Sequence, residues 1–172
     1  MNGFLQNVAV RHVRADDGPA LAAIYAPFVI ESAVSFEYEA PDAVVMGERA
    51  LATDAGHAWL VAVHGGDILG YAYATTFRTR EAYRWTVEVS AYLAESARGH
   101  GVAERLYRDL FALLAARGYR RAIAAITLPN AASVRFHERF GFARVGVLES
   151  VGHKFGRAHD VAYYQRAVGD TK

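Results

Sequence analysis

Two glycines beside an arginine form the part of the sequence best suited to bind an anion. Residues 98–103 read R-G-H-G-V-A, between a strand-like run at residues 85–93 and a helix-like run at residues 102–117. Glycine permits a backbone with positive φ, and the first N–H groups of a helix can donate to a ligand with the positive end of the helix dipole behind them. Arg98 adds a full positive charge. The stretch therefore predicts an anion-binding turn at the head of a helix.

Two better-known phosphate loops do not fit this stretch. A dinucleotide fingerprint G-x-G-x-x-G would begin at Gly99, but its third glycine position is Glu104, whose side chain prevents close packing of the helix. A P-loop needs G-K-S or G-K-T, and neither occurs in the chain. What remains is R-x-x-G-x-A before a helix, for which an ordinary glycine turn is the alternative interpretation.

A carboxylate in the middle of a predicted strand is the second candidate for chemistry. Apolar and polar side chains alternate along residues 85–93, and Glu88 falls on the polar side with Ser90. A carboxylate at the centre of a sheet is costly to bury unless it is hydrogen-bonded or faces a wet cleft. Glu88 is therefore either a hydrogen-bonded structural residue or a functional one.

The composition limits the class of protein. The chain has 172 residues, of which 53% are hydrophobic and 22% charged, which fits a single domain over residues 1–172. A formal net charge of +1 gives no general attraction for nucleic acid, and no apolar run is long enough to span a membrane. The first residues lack the pattern of a signal peptide. The absence of cysteine excludes disulfides and thiolate metal sites, the histidines show no metal-ligand spacing, and the expected location is the cytoplasm.

Hydrophobic periodicity predicts a mixed α/β domain around these residues. A short strand near Val8 and Val10 precedes a helix capped by Asp16 or Asp17, which Pro27 should end or bend. The further predicted segments are a helix from Asp42 to about Thr53, a hairpin of residues 58–63 and 68–77, the strand at 85–93, the helix at 102–117, a strand at 122–127, a short helix capped by Asn130, and a hairpin of residues 143–148 and 161–166. A right-handed strand–helix–strand crossover makes the strands on either side of the long helix parallel, with the anion-binding turn at the carboxyl end of the first.

Several motifs together carry a resemblance to a known superfamily. R-G-H-G-V-A resembles the acyl-CoA pyrophosphate loop of the GCN5-related N-acetyltransferases, and N-A-A-S-V-R-F-H-E-R-F-G-F at residues 130–142 resembles their second acyl-CoA motif. W-T-V-E-V-S-A-Y-L at residues 85–93 and G-H-K-F-G-R-A-H-D-V at residues 152–161 are similar to the phosphinothricin and methionine sulfoximine acetyltransferases. The similarity runs from about Val10 to Arg166. It implies a mostly antiparallel central sheet with one parallel crossover.

The resemblance implies an enzyme that moves an acetyl group from acetyl-CoA to an amine. The absence of cysteine fits direct attack in a ternary complex. Glu88 is implied as the base that takes the ammonium proton, directly or through water, and a partly apolar surrounding that raises its pKa would help. His137 stands where many members carry a tyrosine acid, and Tyr107 is the competing acid. The residues implied in binding acetyl-CoA are Ala91, Tyr92, Leu93, Arg98, Gly99, His100, Gly101, Val102, Ala103, Asn130 and Ser133.

The acceptor implied by the resemblance is the primary amine of a small acidic amino-acid analogue. Cations suit its acid groups, although a solvated basic loop is the alternative for each of them. Relatives often carry tryptophan at the position of Ala158, a difference that either widens the pocket or alters a dimer contact. The predicted acceptor contacts are Phe36, which matches an aromatic of the family, and Arg78, Arg80, Tyr83, Lys154 and Arg157.

Two other functions are compatible with the same motifs. One is acetylation of a protein or peptide N-terminus, and the other is a non-catalytic acyl-CoA-binding sensor. The presence of both Glu88 and His137 argues against the sensor, which needs only the loop and the strand that binds pantetheine. The resemblance also implies a homodimer, and no metal, nucleic-acid or membrane partner is expected.

Overall fold

Seven strands and four α-helices make up residues 7–169, the part of the chain that the computed structural model describes. The strands form one sheet. The prediction about a signal peptide concerns the first residues of the chain, of which 1–6 lie outside the described part. In chain order the elements are β1 (Ala9–His12), α1 (Gly18–Ile30), α2 (Ala43–Gly56), β2 (Ala58–His64), β3 (Asp67–Thr76), β4 (Thr86–Leu93), α3 (Val102–Ala116), β5 (Arg121–Thr127), α4 (Ala131–Arg139), β6 (Ala143–Lys154) and β7 (Arg157–Ala167).

The sheet has the strand order β1-β2-β3-β4-β5-β7-β6. Within residues 7–169 only β4 and β5 are parallel neighbours, and α3 connects them. This confirms the predicted mixed α/β fold with one parallel crossover. No helix in the same residues is both long and apolar enough to cross a membrane.

Two helices begin at the capping residues that the sequence indicates. Asp42 Oδ1 accepts a hydrogen bond from the Val45 N–H at 2.9 Å, so the predicted start of α2 is confirmed. Asn130 Oδ1 accepts one from the Ser133 N–H at 3.1 Å, which fixes the first turn of α4. Both caps act within four residues of chain, which is why local sequence is enough to find them.

α1 begins where the sequence indicates, directly after Asp17, but neither end has the predicted cause. The carboxylate of Asp17 does not cap α1 but pairs with the Arg11 guanidinium at 2.7 and 2.8 Å, because Arg11 on β1 lies beside it in space. Pro27 does not stop the helix, which continues to Ile30. A proline in the last turn removes only one backbone hydrogen bond, so its effect is small there.

The terminal hairpin is longer than predicted. β6 reaches Lys154 and β7 begins at Arg157, where the sequence pattern indicated strands over residues 143–148 and 161–166. The register between the two strands shifts between Leu148 and Gly152, and Ser150 has a φ of 54°. This irregularity breaks the alternation of side chains, so the sequence pattern ends before the pairing does.

Side chains from both faces of the sheet form the core. Val102, Leu106, Leu110 and Leu114, which recur at helical spacing along α3, are fully buried against one face. α1 and α2 cover the other face, where the buried aromatic residues include Trp59 on β2. Helices therefore cover both faces of the sheet. A ligand can reach polar groups of the strands only where the sheet is open.

Candidate active site

An opening arises where the two parallel strands separate. In the described part of the chain, β4 and β5 pair only through residues 86–88 and 121–123. Beyond these pairs β4 remains bonded to β3, and β5 to β7, so the facing edges of the two strands diverge into a cleft. Unpaired backbone groups on such edges can bind an extended ligand as an added strand. The cleft is lined by Val34, Val89, Ser90, Ala91, Tyr92, Ala124, Ala125, Ile126, Thr127, Asn130, Ser133 and His137.

The predicted anion-binding turn lies between β4 and α3. Gly99 and Gly101 have φ angles of 77° and 81°, the left-handed region that favours glycine. Gly101 occupies the N-cap position of α3 without a side-chain hydrogen bond to the helix, so this helix start is suited to an external anion. The Arg98 guanidinium carbon lies 5.3 Å from the centre of the Phe28 ring on α1.

Only some of the predicted cofactor residues line the cleft. Ala91 and Tyr92 line the cleft from β4, and Asn130 and Ser133 line it from α4. Leu93 packs against the core instead. The turn residues Arg98, Gly99, His100, Gly101, Val102 and Ala103 surround the start of α3 and do not line the cleft.

His137 and Tyr107 lie together, and only His137 reaches the cleft. Tyr107 is fully buried on α3, and its hydroxyl lies 3.1 Å from His137 Nε2. His137 Nδ1 is 2.9 Å from the Ser133 carbonyl oxygen, which can only accept, so Nδ1 carries the proton and the Tyr107 hydroxyl donates to Nε2. Burial lowers the pKa of His137 and raises the pKa of Tyr107, so both groups are neutral at neutral pH.

Glu88 is half-buried where β4 and β5 begin to separate. It pairs with Ile123 in the last register position before the cleft and with Thr75 on the other side. Burial raises the pKa of Glu88, and the charge of Arg78 partly opposes this shift. The sheet thus carries a carboxylate with raised proton affinity next to the cleft.

A second pocket adjoins the cleft and has a volume of about 240 Å³. Val34 and Thr127 line both the pocket and the cleft. Of the predicted acceptor contacts only Arg157 lines the pocket, where it lies with the buried His159. The remaining lining residues are Glu31, Ser32, Ala33, Leu128 and Pro129. A cation, an anion and an apolar wall in one pocket suit a small zwitterionic ligand.

The other predicted acceptor contacts lie outside both openings. Phe36 packs with its ring 6.1 Å from that of His159. Arg78 lies near enough to Glu88 to shift its pKa, whereas Arg80 and Tyr83 are exposed in the connection between β3 and β4. Ala158 is exposed on β7 and lines neither opening.

The direct contact predicted between Lys154 and the acceptor does not fit the structure. The side chain is only 2% exposed, and its ammonium donates to three backbone carbonyls. A lysine ammonium has three N–H groups, so none remains for an acid group of the acceptor. Val34 and Thr127 are among the lining residues that sequence reasoning missed. Val34 lies in a loop without a sequence signal, whereas Thr127 lies at the carboxyl end of a parallel strand, where ligands usually bind.

Comparison with known proteins places this arrangement in a family. A family model described as an acetyltransferase (GNAT) domain matches residues 10–162. A phosphinothricin N-acetyltransferase of Alcaligenes faecalis is 46% identical over 166 residues, which are 94% of this chain and 84% of that protein. An L-methionine sulfoximine/L-methionine sulfone acetyltransferase of Pseudomonas paraeruginosa is 34% identical over 96% of this chain and 98% of its own length. The crystal structure of a phosphinothricin acetyltransferase from Sinorhizobium meliloti in complex with acetyl-CoA superposes with a TM-score of 0.89 at 33% identity, covering 96% of this chain and 92% of that one.

The chain belongs to the GNAT family of acetyltransferases, and it is an acetyl-CoA-dependent N-acetyltransferase. Within that family its similarity is to the phosphinothricin and methionine sulfoximine acetyltransferases, which confirms the resemblance drawn from the motifs.

Proposed function

We propose that the protein transfers an acetyl group from acetyl-CoA to the α-amino group of a small acidic amino-acid analogue of the phosphinothricin or methionine sulfoximine type. The observation that carries this proposal is the continuity of the two openings. The cleft between β4 and β5 shares Val34 and Thr127 with the pocket that contains Arg157. A thioester in the cleft and an amine in the pocket would then meet at their common wall. The similar enzymes are named for small amino-acid analogues, whose opposite charges suit a pocket lined by both Arg157 and Glu31.

The proposed reaction is a direct attack within a ternary complex. Glu88 takes one ammonium proton directly or through water, and the neutral amine nitrogen then forms a bond to the thioester carbonyl carbon. The carbon–sulfur bond breaks, and the second proton that the nitrogen loses goes to the departing thiolate, so that the products are the amide and the CoA thiol. The chain contains no cysteine, which agrees with a route without a cysteine-bound acyl intermediate. The raised pKa of Glu88 makes the carboxylate a better base than an exposed glutamate.

We assign to His137, rather than Tyr107, the contact with the thiol end of acetyl-CoA. His137 lines the cleft, whereas Tyr107 is enclosed in the core behind it. Tyr107 then has a positioning role, since its hydroxyl holds His137 Nε2 and thereby fixes the ring. At the other end of the cofactor, Arg98 and the N–H groups at the start of α3 would receive the pyrophosphate.

The proposal extends to a homodimer in the cytoplasm. β6 is an edge strand of the sheet, and it exposes Val145, Leu148 and Val151, with Phe155 following in the turn. An exposed apolar edge strand is a surface that a second copy of the chain can cover. The absence of cysteine is compatible with a reducing compartment.

A thiol-release assay with a panel of amines tests the proposed substrate class. We expect phosphinothricin, methionine sulfoximine and methionine sulfone to be acetylated with a kcat/KM at least tenfold above that of peptides with free N-termini. The matched control is the Glu88→Gln variant, which keeps the shape of the site but cannot take the proton. Faster acetylation of peptides would instead identify an N-terminal acetyltransferase. Binding of acetyl-CoA without thiol release for any amine would identify a sensor and refute the proposal.

A further inference from the structure

The ammonium of Lys154 has an unusual environment for a charged group. It lies at the end of β6 in the protein interior, and it donates to the carbonyl oxygens of Val29 at 2.5 Å, Ser32 at 3.0 Å and Ser35 at 2.7 Å. All three N–H groups are thus used on backbone acceptors from one segment. Residues 29–36, which we call the acceptor loop, run from the last turn of α1 across the terminal hairpin.

Two neighbouring contacts fasten the same region to the same strand. The Phe36 ring lies against Gly152, where a Cβ would overlap the ring. The Tyr38 hydroxyl donates to the His153 carbonyl at 2.6 Å. Three consecutive residues of β6, from Gly152 to Lys154, therefore contact the chain that follows α1.

The three backbone carbonyls around Lys154 match the three N–H donors of an ammonium. Its ligands are neutral carbonyls, and burial lowers the pKa of the group while the charge of Glu37 opposes that shift. An apolar side chain of similar length would avoid the cost of burying a charge but would leave the carbonyls of Val29 and Ser35 without these donors. Lys154 is therefore one of several tethers of the acceptor loop, beside the hydrogen bond between the Tyr25 hydroxyl and Ser35 Oγ, and it is the one that carries a charge.

The acceptor loop forms the wall between the two openings. Val34 lines both the cleft and the pocket, and Ser32 and Ala33 line the pocket. Two of the carbonyls that Lys154 holds, those of Ser32 and Ser35, are in residues that flank Val34. A change at Lys154 therefore moves a pocket wall that the side chain itself does not touch.

We propose that Lys154 is a positioning residue, which sets the affinity for the acceptor amine by tethering the acceptor loop without contacting the substrate. This inference relies on the proposed function for the identity of the pocket, whereas the tether itself does not depend on it. Lys154→Met should raise the KM for the acceptor about tenfold and leave the KM for acetyl-CoA within about twofold. The only other lysine is Lys172, so Lys172→Met is the matched control.

Comparing two kinds of acceptor separates tethering from a direct ion pair. If Lys154 only positions the loop, Lys154→Met raises the KM of an amino-acid acceptor and of its carboxamide by the same factor. A loss confined to acceptors with a free carboxylate would show a direct ion pair and overturn the proposal. An unchanged acceptor KM would overturn it as well, because a purely structural residue should not change KM well below the melting temperature.

Hydrogen exchange tests the tether without an activity measurement, so its result does not depend on the proposed function. Hydrogen exchange of peptides covering residues 29–38 should become faster in Lys154→Met than in Lys172→Met, while peptides from β4 and α3 keep their protection. This result would support the tether even if wild type acetylated none of the amino acids, an outcome that would refute only the substrate class. Equal exchange in residues 29–38 of both variants would refute the tether.

A chemical rescue covers the case in which Lys154→Met does not fold. Because the chain has no cysteine, Lys154→Cys can be alkylated in denaturant at that single thiol and then refolded. Aminoethylation creates a lysine analogue with an ammonium and should restore the acceptor KM to within about threefold of wild type. S-propylation adds the same number of heavy atoms without charge and should not. Equal acceptor KM values after both treatments would contradict a role for the ammonium.

Discussion

Glu88 combines a position on the polar side of β4 with surroundings that favour its protonated form. Burial raises its pKa, and the positive charge of Arg78 lowers it again in part. The carboxylate, which is the form able to accept a proton, therefore appears as pH rises through a value above that of an exposed glutamate. For a general base this gives a rate that increases with pH before it reaches a plateau.

Glu88→Gln should lower kcat by about 10²–10⁴-fold and leave the affinity for acetyl-CoA nearly unchanged, because the amide keeps the shape but cannot take the proton. The variant should also lose the part of the pH–rate profile that rises with pH. Steady-state kinetics and calorimetry measure the two effects. Because the acceptor ammonium titrates too, amines of different pKa must be compared. A rising limb that follows the amine pKa, with Glu88→Gln within a few-fold of wild type, would make Glu88 a structural carboxylate.

Tyr107→Phe tests the division of roles between Tyr107 and His137. If Tyr107 only holds His137 Nε2, the variant should lose less than about tenfold in kcat, since it removes one hydrogen bond that positions the ring. A general acid at Tyr107 predicts a loss of about 10²-fold or more. The measurement is single-turnover thiol release, with Phe111→Leu on the same helix as a packing control.

At the scale of elements, the anion-binding turn depends on glycine conformation as well as on space. Gly101→Val should weaken acetyl-CoA binding at least about tenfold, because valine disfavours the observed φ of 81° at a cost of about 1–3 kcal/mol and its side chain stands at the start of α3. Calorimetry measures the affinity. Gly65→Val is the control, because Gly65 also has a positive φ, 59°, but lies in the distant β2–β3 turn. This variant should destabilise folding without affecting the binding of acetyl-CoA. Unchanged affinity in Gly101→Val would remove this turn from the binding site.

At the scale of the whole molecule, β6 leaves one edge of the sheet open and apolar. Leu148 and Val151 are 47% and 56% exposed on this strand. If a second copy covers them, Leu148→Lys should convert a dimer into a monomer, because a buried lysine without a partner opposes association. Sedimentation velocity at micromolar concentration measures the change, with Val44→Lys on the exposed face of α2 as the control. A wild-type monomer under these conditions would contradict the homodimer.

The amino-acid sequence by itself determined the features that arise within a few residues of chain. Asp42 and Asn130 cap their helices through donors three residues ahead, and Gly101 adopts the backbone that its lack of a side chain permits. The alternation along β4 likewise places Glu88 on the polar side of the strand. The family motifs extend this local information, because they link short patterns to a known fold.

Only the tertiary structure decided the features that arise where distant segments of the chain meet. The divergence of β4 and β5 creates the cleft, and nothing in either strand alone indicates where their pairing stops. The hydrogen bond between Tyr107 and His137 joins two helices, and of the two residues only His137 lines the cleft. Lys154 reads in the sequence as a cation available to substrate, yet its ammonium lies inside a loop 119–125 residues away in the chain. Burial and partner choice for a long charged side chain are set by the whole fold, so local sequence cannot predict them.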